Sequence, residues 1–191
     1  MLNIVIFGAP GAGKGTQSEN LIKHYNLFHI STGDVLRNHI KQGTELGKTA
    51  KSYIDKGHLI PDELMIDILA SVLDGNKEAA SEGVIFDGFP RTIAQAEALE
   101  KLLADRGMAI DAVVGLEVPE DELVKRLVMR GQQSGRSDDN EDTIKSRLGV
   151  YHNQTAPLQD FYKKKGIYKP IKGTGSVDDI FSDIKTAIDK A

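Results

Sequence analysis

Short apolar segments alternate with longer amphipathic ones along this chain. Short runs rich in β-branched residues are typical of buried strands, and apolar residues spaced three and four apart are typical of helices. The pattern predicts strands at 2–7, 27–30, 83–87, 111–118 and 167–171. It predicts helices at 14–25, 35–41, 45–56, 62–73, 92–106, 119–130 and 142–165, the last bent near Pro157, and a final helix ending at 189. Strands that alternate with helices predict an α/β fold, with a five-stranded parallel sheet covered on both faces.

The junction between the first strand and the first helix carries a glycine-rich loop, Gly8-Ala-Pro-Gly-Ala-Gly-Lys-Gly-Thr16. In this context the backbone N–H groups turn toward one anion, and the helix N-terminus adds its positive potential. The side chain of Lys14 would reach the outer phosphates. The residue after Lys14 is Gly15, and the hydroxyl of the generic motif comes one place later, at Thr16. An ordinary glycine-rich turn is the alternative, but the strand–loop–helix context favours binding of a nucleoside triphosphate.

Arginine placement is the second informative feature. The chain has 24 lysines and arginines, of which only seven are arginine, so lysine supplies most of the basic surface. Arg106 has an evident structural role at a helix C-terminus, where a cation meets the helix dipole. The other six could bind phosphate with their planar guanidinium groups, although each alone could be a surface residue: Arg37, Arg91, Arg126, Arg130, Arg136 and Arg147. Together they predict a cationic pocket suited to two phosphorylated substrates, and therefore phosphoryl transfer.

Asp87 is the last residue of the third predicted strand, and we expect it to lie near the glycine loop. It is placed to hold Mg²⁺ directly or through water, although an aspartate that only caps the next turn is the alternative. If the acceptor is itself a phosphate, it is already an anion at neutral pH. No general base is then needed, which agrees with a sequence that shows no nucleophile–histidine–acid pattern.

Composition excludes several classes of protein. The 191 residues suit one domain, and with no cysteine the chain can form neither a disulfide framework nor a thiolate zinc site. The five histidines show no pair at metal-ligand spacing. The net charge of −4 argues against a nucleic-acid partner, and no apolar run reaches the length of a membrane span. The N-terminal apolar run is short and lacks a basic leader, so we expect a soluble, cytoplasmic protein without a membrane partner.

Four motifs together resemble those of the adenylate kinase family: the loop from Gly8 to Thr16, Ser31-Thr-Gly-Asp34, Asp87-Gly-Phe-Pro-Arg91 and Gly135-Arg-Ser-Asp-Asp139. The resemblance covers the whole chain in order, and Gly15-Thr16 is that family's own form of the loop. It implies a P-loop kinase fold, a monomer and one domain, 1–191. Its core would be 1–30, 61–130 and 142–191, its mobile AMP-binding region 31–60 and its short, mobile lid 131–141. Some relatives have a longer lid with a cysteine zinc site, for which this chain has neither the length nor the cysteines.

The resemblance also implies a reaction, reversible phosphoryl transfer from ATP to AMP that gives two ADP, with Mg²⁺ as cofactor. The implied ATP-binding residues are Gly11, Ala12, Gly13, Lys14, Gly15, Thr16, Arg130 and Gly175. The implied AMP-binding residues are Thr32, Arg37, His58, Leu59, Ile60, Gly88, Phe89, Pro90, Arg91, Gln95, Arg136 and Arg147. The implied catalytic residues are Lys14, Arg91, Arg126, Arg130, Arg136 and Arg147. Asp138 and Asp139 would lie beside the lid arginines, unless 138–142 is only a solvated acidic turn.

Two other functions remain open from the sequence. A UMP/CMP kinase would share the loop and the arginines, although Thr32 and the spacing from Arg91 to Gln95 favour AMP. A non-catalytic nucleotide switch would share the loop but would not need a second site. The amide of Gln95 could pair with adenine, but a flipped amide would suit guanine equally well. We therefore expect Thr32 or the backbone near Ile60 either to fix that amide or to crowd the 2-amino group of guanine.

Overall fold

A computed structural model describes residues 1–190 and shows one sheet of five parallel strands. The strands are β1 (Leu2–Gly8), β2 (Phe28–Ser31), β3 (Gly83–Asp87), β4 (Ala112–Glu117) and β5 (Tyr168–Lys172). Their order in the sheet is β2-β3-β1-β4-β5, and every neighbouring pair is parallel. The predicted α/β fold with a five-stranded parallel sheet is therefore confirmed. Because β1 is central, the loop that follows it lies in the middle of the sheet's carboxyl edge.

Helices cover both faces of this sheet. They are α1 (Lys14–Tyr25), α2 (Thr32–Gln42), α3 (Glu45–Ile54), α4 (Asp62–Gly75), α5 (Ile93–Ala104), α6 (Glu120–Ser134), α7 (Glu141–Val150), α8 (Leu158–Lys164) and α9 (Val177–Asp189). Val5 and Phe7 of β1 pack into one hydrophobic cluster, and Ile4 and Ile6 pack into another. This alternation places one core on each face. Within residues 1–190, no helix is both long and apolar enough to cross a membrane.

Helices α2 and α6 begin or end at least three residues outside their predicted ranges. Helix α2 begins at Thr32 because the Ser31 hydroxyl accepts a hydrogen bond from the Asp34 N–H and caps it. Helix α6 continues to Ser134, so the first four residues of the predicted lid are helical, and it ends at Gly135 with a left-handed φ of 64°. The sequence placed the end of this helix at Arg130 because Gly131 resembles a stop.

The predicted helix 142–165 is divided into three parts. Helix α7 ends at Val150, the π-helical turn Tyr151–Thr155 follows, and α8 begins after Pro157. Proline lacks the N–H that a continuous helix requires at this position, so the predicted bend is a break. The turn brings Tyr151 against Phe7 of β1, with ring centroids 5.9 Å apart.

Candidate active site

The loop between β1 and α1 has the conformation that its glycines permit. Gly11 and Gly13 have φ values of 84° and 94°, in the left-handed region that other residues avoid. A Cβ on Gly11 would lie 2.9 Å from the Leu127 side chain, so close packing of the loop against α6 also requires glycine at position 11. The loop therefore turns tightly and leads directly into the N-terminus of α1, where an anion is favoured.

Lys14 is folded back onto this loop. Its Nζ donates hydrogen bonds to the carbonyl oxygens of Gly8 and Ala9, both at 3.0 Å. Burial, opposed by the charge of Asp87 and reinforced by the nearby arginines, lowers the pKa of Lys14 to about 7. An anionic ligand in the loop would favour the charged ammonium form and raise this pKa again.

A cleft with an empty volume of about 1100 Å³ opens in front of the loop. Besides residues 11–16, its lining includes five of the six arginines predicted to bind phosphate: Arg37, Arg91, Arg130, Arg136 and Arg147. These arginines come from α2, from the turn after β3, from α6, from the predicted lid and from α7. The structure thus brings together cations that are more than one hundred positions apart in the chain, as the sequence predicted.

Arg126 contacts the glycine loop but is not among the residues that line the cleft. Its guanidinium donates to the carbonyl oxygens of Gly173 at 3.0 Å and Gly11 at 3.4 Å, and to Glu122 at 3.2 Å. It therefore ties the loop after β1 to the loop after β5 and does not line the phosphate cleft. Gly175 in that second loop has a φ of 109°, so its backbone conformation requires glycine even though a Cβ would have open space. Its contact with adenine stays a prediction.

A second cavity, with an empty volume of about 610 Å³, adjoins the cleft. It is lined by Thr32, Gly33, Leu36, Arg37, Ile54, Gly57, His58, Leu59, Ile60, Met65, Gly88, Phe89, Arg91, Gln95, Asp138 and Arg147. Ten of the twelve residues predicted to bind AMP are among them. Of the other two, Pro90 lines a smaller pocket beside it and Arg136 lines the cleft. The sequence missed the apolar walls Leu36, Ile54 and Met65, whose helical spacing indicates only core packing.

Arg91 lines both cavities and is held from one side. Its Nε donates to the Gly88 carbonyl at 2.7 Å, and the Thr32 hydroxyl donates to the same oxygen at 3.2 Å. Burial, followed by the positive charge of Arg147, lowers the pKa of Arg91 to about 10. An anion that binds next to a guanidinium among other cations favours its charged form. Arg91 is therefore suited to bind a phosphate that both cavities share.

The amide of Gln95 is held by groups other than those expected. Its Oε1 accepts from the backbone N–H of Arg91, and its Nε2 donates to Asp62 Oδ1, both at 2.8 Å. The expectation that Thr32 or the backbone near Ile60 fixes this amide was therefore wrong, because the Thr32 hydroxyl bonds to Gly88 and the amide bonds to Arg91 and Asp62. That either of them crowds the 2-amino group of guanine stays a prediction. Asp62 was missed because an acidic residue in the first turn of a helix is ordinary.

Two buried aspartates hold the predicted lid. Asp139 accepts from Arg130 Nε at 2.6 Å, Arg130 Nη2 at 2.7 Å and Arg147 Nη1 at 3.0 Å, and Asp138 lies 3.3 Å from the same Arg147 nitrogen. Burial alone would raise the pKa of Asp139, but the hydrogen bonds and charge of Arg130, with Arg147, lower it below its ordinary value. The alternative of a solvated acidic turn is wrong for these two residues, which are 6% and 5% exposed.

The same segment also touches the predicted AMP-binding region. Ser137 Oγ donates to Asp55 Oδ1 at 2.7 Å, and beyond the predicted lid Thr143 Oγ1 of α7 donates to the Asp55 carbonyl at 3.0 Å. A Cβ on Gly131 would lie 2.6 Å from the Asp139 carbonyl oxygen, so glycine lets the short turn 137–139 fold back on α6.

Asp87 and Thr16 offer oxygen donors to the cleft. Both residues line the cleft, and Asp87 Oδ2 lies 3.5 Å from Nε2 of His29 on β2. A carboxylate, a hydroxyl and phosphate oxygens are the ligands that Mg²⁺ takes in nucleotide sites. Among residues 1–190, no three potential histidine, cysteine, aspartate or glutamate ligands lie close enough to hold a metal together. The donor set fits a Mg²⁺ ion that is bound mainly through nucleotide phosphates.

Comparison with known proteins agrees with this geometry. The model of the family described as adenylate kinase matches residues 6–167. The chain belongs to the adenylate kinase family. It is 66% identical to an adenylate kinase of Phocaeicola vulgatus and 67% identical to one of Bacteroides thetaiotaomicron, each alignment covering 100% of both chains. It is 53% identical to an adenylate kinase of Porphyromonas gingivalis, over 100% of this chain and 97% of that protein.

These similarities decide between the alternatives that the sequence left open. Matches to proteins named adenylate kinase extend over the whole length of the chain and support an enzyme, a nucleoside monophosphate kinase. They support neither a UMP/CMP kinase nor a non-catalytic nucleotide switch. The predicted phosphotransferase activity is therefore confirmed at the level of the family.

Proposed function

We propose that the protein transfers the γ-phosphoryl group of Mg²⁺-bound ATP to AMP, in a reversible reaction that gives two ADP. The observation that carries this proposal is the sharing of Arg37, Arg91 and Arg147 by the two adjoining cavities. Phosphate groups in the two cavities would meet at these arginines. A protein that only bound or hydrolysed ATP would need no second cavity of this kind.

The cleft is the proposed donor site. Backbone N–H groups of 11–16, with Lys14, would hold the ATP phosphates, and Arg130 would contact the transferred group. Arg126 is proposed to act near ATP through its position between the two loops, and the Gly175 backbone is proposed to meet the adenine. Support for this assignment comes from the left-handed glycines of the loop and from the Lys14 side chain, which is folded back onto the loop.

The second cavity is the proposed acceptor site. Thr32, the backbone of 58–60 and residues 88–90 would enclose AMP, while Gln95 would pair with its base. Arg37, Arg91, Arg136 and Arg147 would hold its phosphate. The AMP phosphate is an anion at neutral pH, so the reaction needs no general base and depends on alignment and on neutralisation of charge.

The arginines supply that neutralisation in the proposed mechanism. Arg91 and Arg147 lie between donor and acceptor, where negative charge accumulates as two phosphates approach, and positioned cations there stabilise the transition state. Mg²⁺, held by Thr16 and Asp87 and by the nucleotide, would further neutralise the ATP phosphates. Exclusion of water from the cleft would direct the phosphoryl group to AMP and limit ATP hydrolysis.

The division into segments belongs to the same proposal. We propose one domain, in which the AMP-binding region 31–60 and the lid 131–141 close over a core formed by the rest of the chain. The hydrogen bond between Ser137 of the lid and Asp55 of the AMP-binding region supports this, because it joins the two segments. The size and composition of the chain suit a monomer that works in the cytoplasm.

Activity with different monophosphates tests the proposal. ATP and Mg²⁺ are supplied with AMP, GMP, CMP or UMP in turn, and diphosphate formation is followed by a coupled assay. We expect kcat/KM to be highest for AMP by a wide margin. Preferred turnover of UMP or CMP would contradict the assignment of the acceptor, and turnover of none of the four would contradict the proposed reaction.

A further inference from the structure

The side-chain amide of Gln95 is buried and is hydrogen-bonded at both of its ends. Gln95 is 2% exposed and lines the proposed acceptor cavity. Its Oε1 accepts from the Arg91 backbone N–H, which can only donate, and its Nε2 donates to a carboxylate oxygen of Asp62, which accepts. The two partners differ in chemistry, so they distinguish the two ends of the amide.

These contacts allow one orientation of the amide. A flipped Gln95 would place its carbonyl oxygen against the Asp62 carboxylate and its NH₂ group against the Arg91 N–H. Both contacts would be repulsive, and a buried group left without a partner is costly. In the observed orientation Nε2 keeps one hydrogen and Oε1 keeps one lone pair unused. Gln95 therefore presents one fixed donor–acceptor pair to a ligand.

Purine bases differ in the order of hydrogen-bond donor and acceptor that they present to this pair. A 6-aminopurine offers a donor at position 6 and an acceptor at N1, whereas a 6-oxopurine offers an acceptor at position 6 and a donor at N1. An amide that could flip would pair with either base. An amide of fixed orientation pairs with one and faces the other with two like groups, and hydrogen-bonding sites reject such mismatched ligands strongly.

We propose that Asp62 is a positioning residue that determines base specificity by fixing the orientation of Gln95. Asp62 itself does not line the acceptor cavity, so it acts through the amide. It would make the acceptor site select 6-aminopurine monophosphates against 6-oxopurine monophosphates. The inference rests on the proposed function, because it assumes that Gln95 meets the base of the acceptor nucleotide.

Inosine monophosphate is the probe that isolates this effect. It differs from AMP only at position 6 and at the N1 hydrogen, and it lacks the 2-amino group through which guanine could be excluded sterically. Asp62→Asn is the test variant, because an amide at this position can either accept from or donate to Gln95, so that only the Arg91 N–H then opposes the flipped orientation. Glu63→Gln is the matched control: Glu63 is exposed, follows Asp62 in the first turn of α4 and loses the same charge.

We expect the ratio of kcat/KM for AMP to that for inosine monophosphate to fall in Asp62→Asn, by roughly tenfold or more. The ratio should stay at the wild-type value in Glu63→Gln, and KM for ATP should be the same in all three proteins. An unchanged ratio in Asp62→Asn would overturn the inference. An equal fall in both variants would also overturn it, because the effect would then come from the lost helix charge.

A spectroscopic measurement keeps the inference testable if the variant is poorly stable. The side-chain NH₂ signals of Gln95 in the NMR spectrum are assigned by their loss in Gln95→Leu, and the hydrogen bond to the Asp62 carboxylate should move the chemical shift of one of the two protons downfield. Loss of this downfield shift in Asp62→Asn supports the inference, and identical chemical shifts in wild type and Asp62→Asn overturn it. Failure of the proposed function is distinguishable, since it would appear as wild-type protein that does not phosphorylate AMP.

Discussion

The carboxylate of Asp139 holds the guanidinium of Arg130 through two hydrogen bonds, at 2.6 and 2.7 Å. The Asp139 side chain has no exposed surface, while that of Arg130 is 33% exposed and lines the cleft. One buried carboxylate thus fixes the lid segment to α6 and also orients a cation that faces the proposed phosphate site. This relationship links the stability of the lid to the electrostatics of the active site.

We expect Asp139→Asn to destabilise the protein. Removal of one partner from a fully buried ion pair costs about 3–5 kcal/mol, and the partial exposure of Arg130 reduces this to roughly 2 kcal/mol. The melting temperature should fall by roughly 4–8 °C at pH 7. Asp142→Asn is the control, since Asp142 is exposed in the first turn of α7. Equal melting temperatures for Asp139→Asn and wild type would contradict this role.

The lowered pKa of Asp139 also predicts how this difference depends on pH. Its stabilising contribution is fully present above the pKa of an unfolded aspartate, about 3.9, and is lost as pH falls through the lower pKa of the folded state. The gap in melting temperature between wild type and Asp139→Asn should therefore narrow below pH of about 4. Thermal unfolding between neutral and acidic pH measures it, and a gap that stays constant over this range would refute the explanation.

Lys14→Met should remove most of the activity without unfolding the protein. Loss of one positioned group that stabilises charge lowers kcat by roughly 10²–10³. The variant should melt at or above the wild-type temperature at pH 7, because it no longer buries an ammonium group whose pKa is lowered to about 7. Lys23→Met, on the exposed side of the same helix, should leave kcat unchanged. Near-normal turnover of a folded Lys14→Met protein would show that Lys14 does not have the proposed role in phosphoryl transfer.

ATP binding should be accompanied by proton uptake above neutral pH. In the free protein Lys14 has a pKa of about 7 and is mostly neutral at pH 8, whereas a bound triphosphate favours its charged form. Uptake should approach about one proton at pH 8 and become small at pH 6. Titration calorimetry in buffers of different ionisation enthalpy measures this number. Equal uptake by wild type and Lys14→Met would show that Lys14 is not the group involved.

A bisubstrate analogue should slow hydrogen exchange in the second half of the lid. Residues 131–134 belong to α6 and are already hydrogen-bonded, so the change should concentrate in 135–140, which are held mainly by Asp138 and Asp139. Exchange in α9 should be unaffected and serves as the internal control. Exchange in 135–140 that is the same with and without the analogue would indicate a fixed loop.

Substitutions in the acceptor cavity should affect AMP and spare ATP. Gln95→Leu removes both partners offered to the base, so KM for AMP should rise roughly tenfold while KM for ATP is unchanged. Thr32→Ala should relax discrimination against UMP, because Thr32 lines the proposed acceptor cavity and its shortened side chain would no longer confine the base. Glu97→Leu, on the exposed face of α5, is the control. Wild-type AMP preference in both variants would mean that the base lies elsewhere.

The parts of this protein that the sequence predicted depend on local chemistry. The loop at 8–16 was predictable because glycine, lysine and helix start follow one another in the chain. The role of Asp139 was only one of two alternatives, because its bond to Arg130 forms when the turn 137–139 folds back on α6. The bond from Asp62 to Gln95 spans 33 positions and had no sequence pattern at all. The end of α6 was misplaced because Gly131 was interpreted as the end of the helix. The structure shows that glycine is needed at this position for close packing against Asp139, while the helix continues.

Transfer of a labelled phosphoryl group distinguishes phosphorylation of AMP from hydrolysis of ATP. Wild-type protein is incubated with Mg²⁺, AMP and ATP labelled at its γ-phosphate, and the products are separated early in the reaction. We expect the label to appear in ADP, at the β-phosphate gained by AMP, with little release of inorganic phosphate. Label recovered only as inorganic phosphate, or only in unreacted ATP, would contradict this expectation.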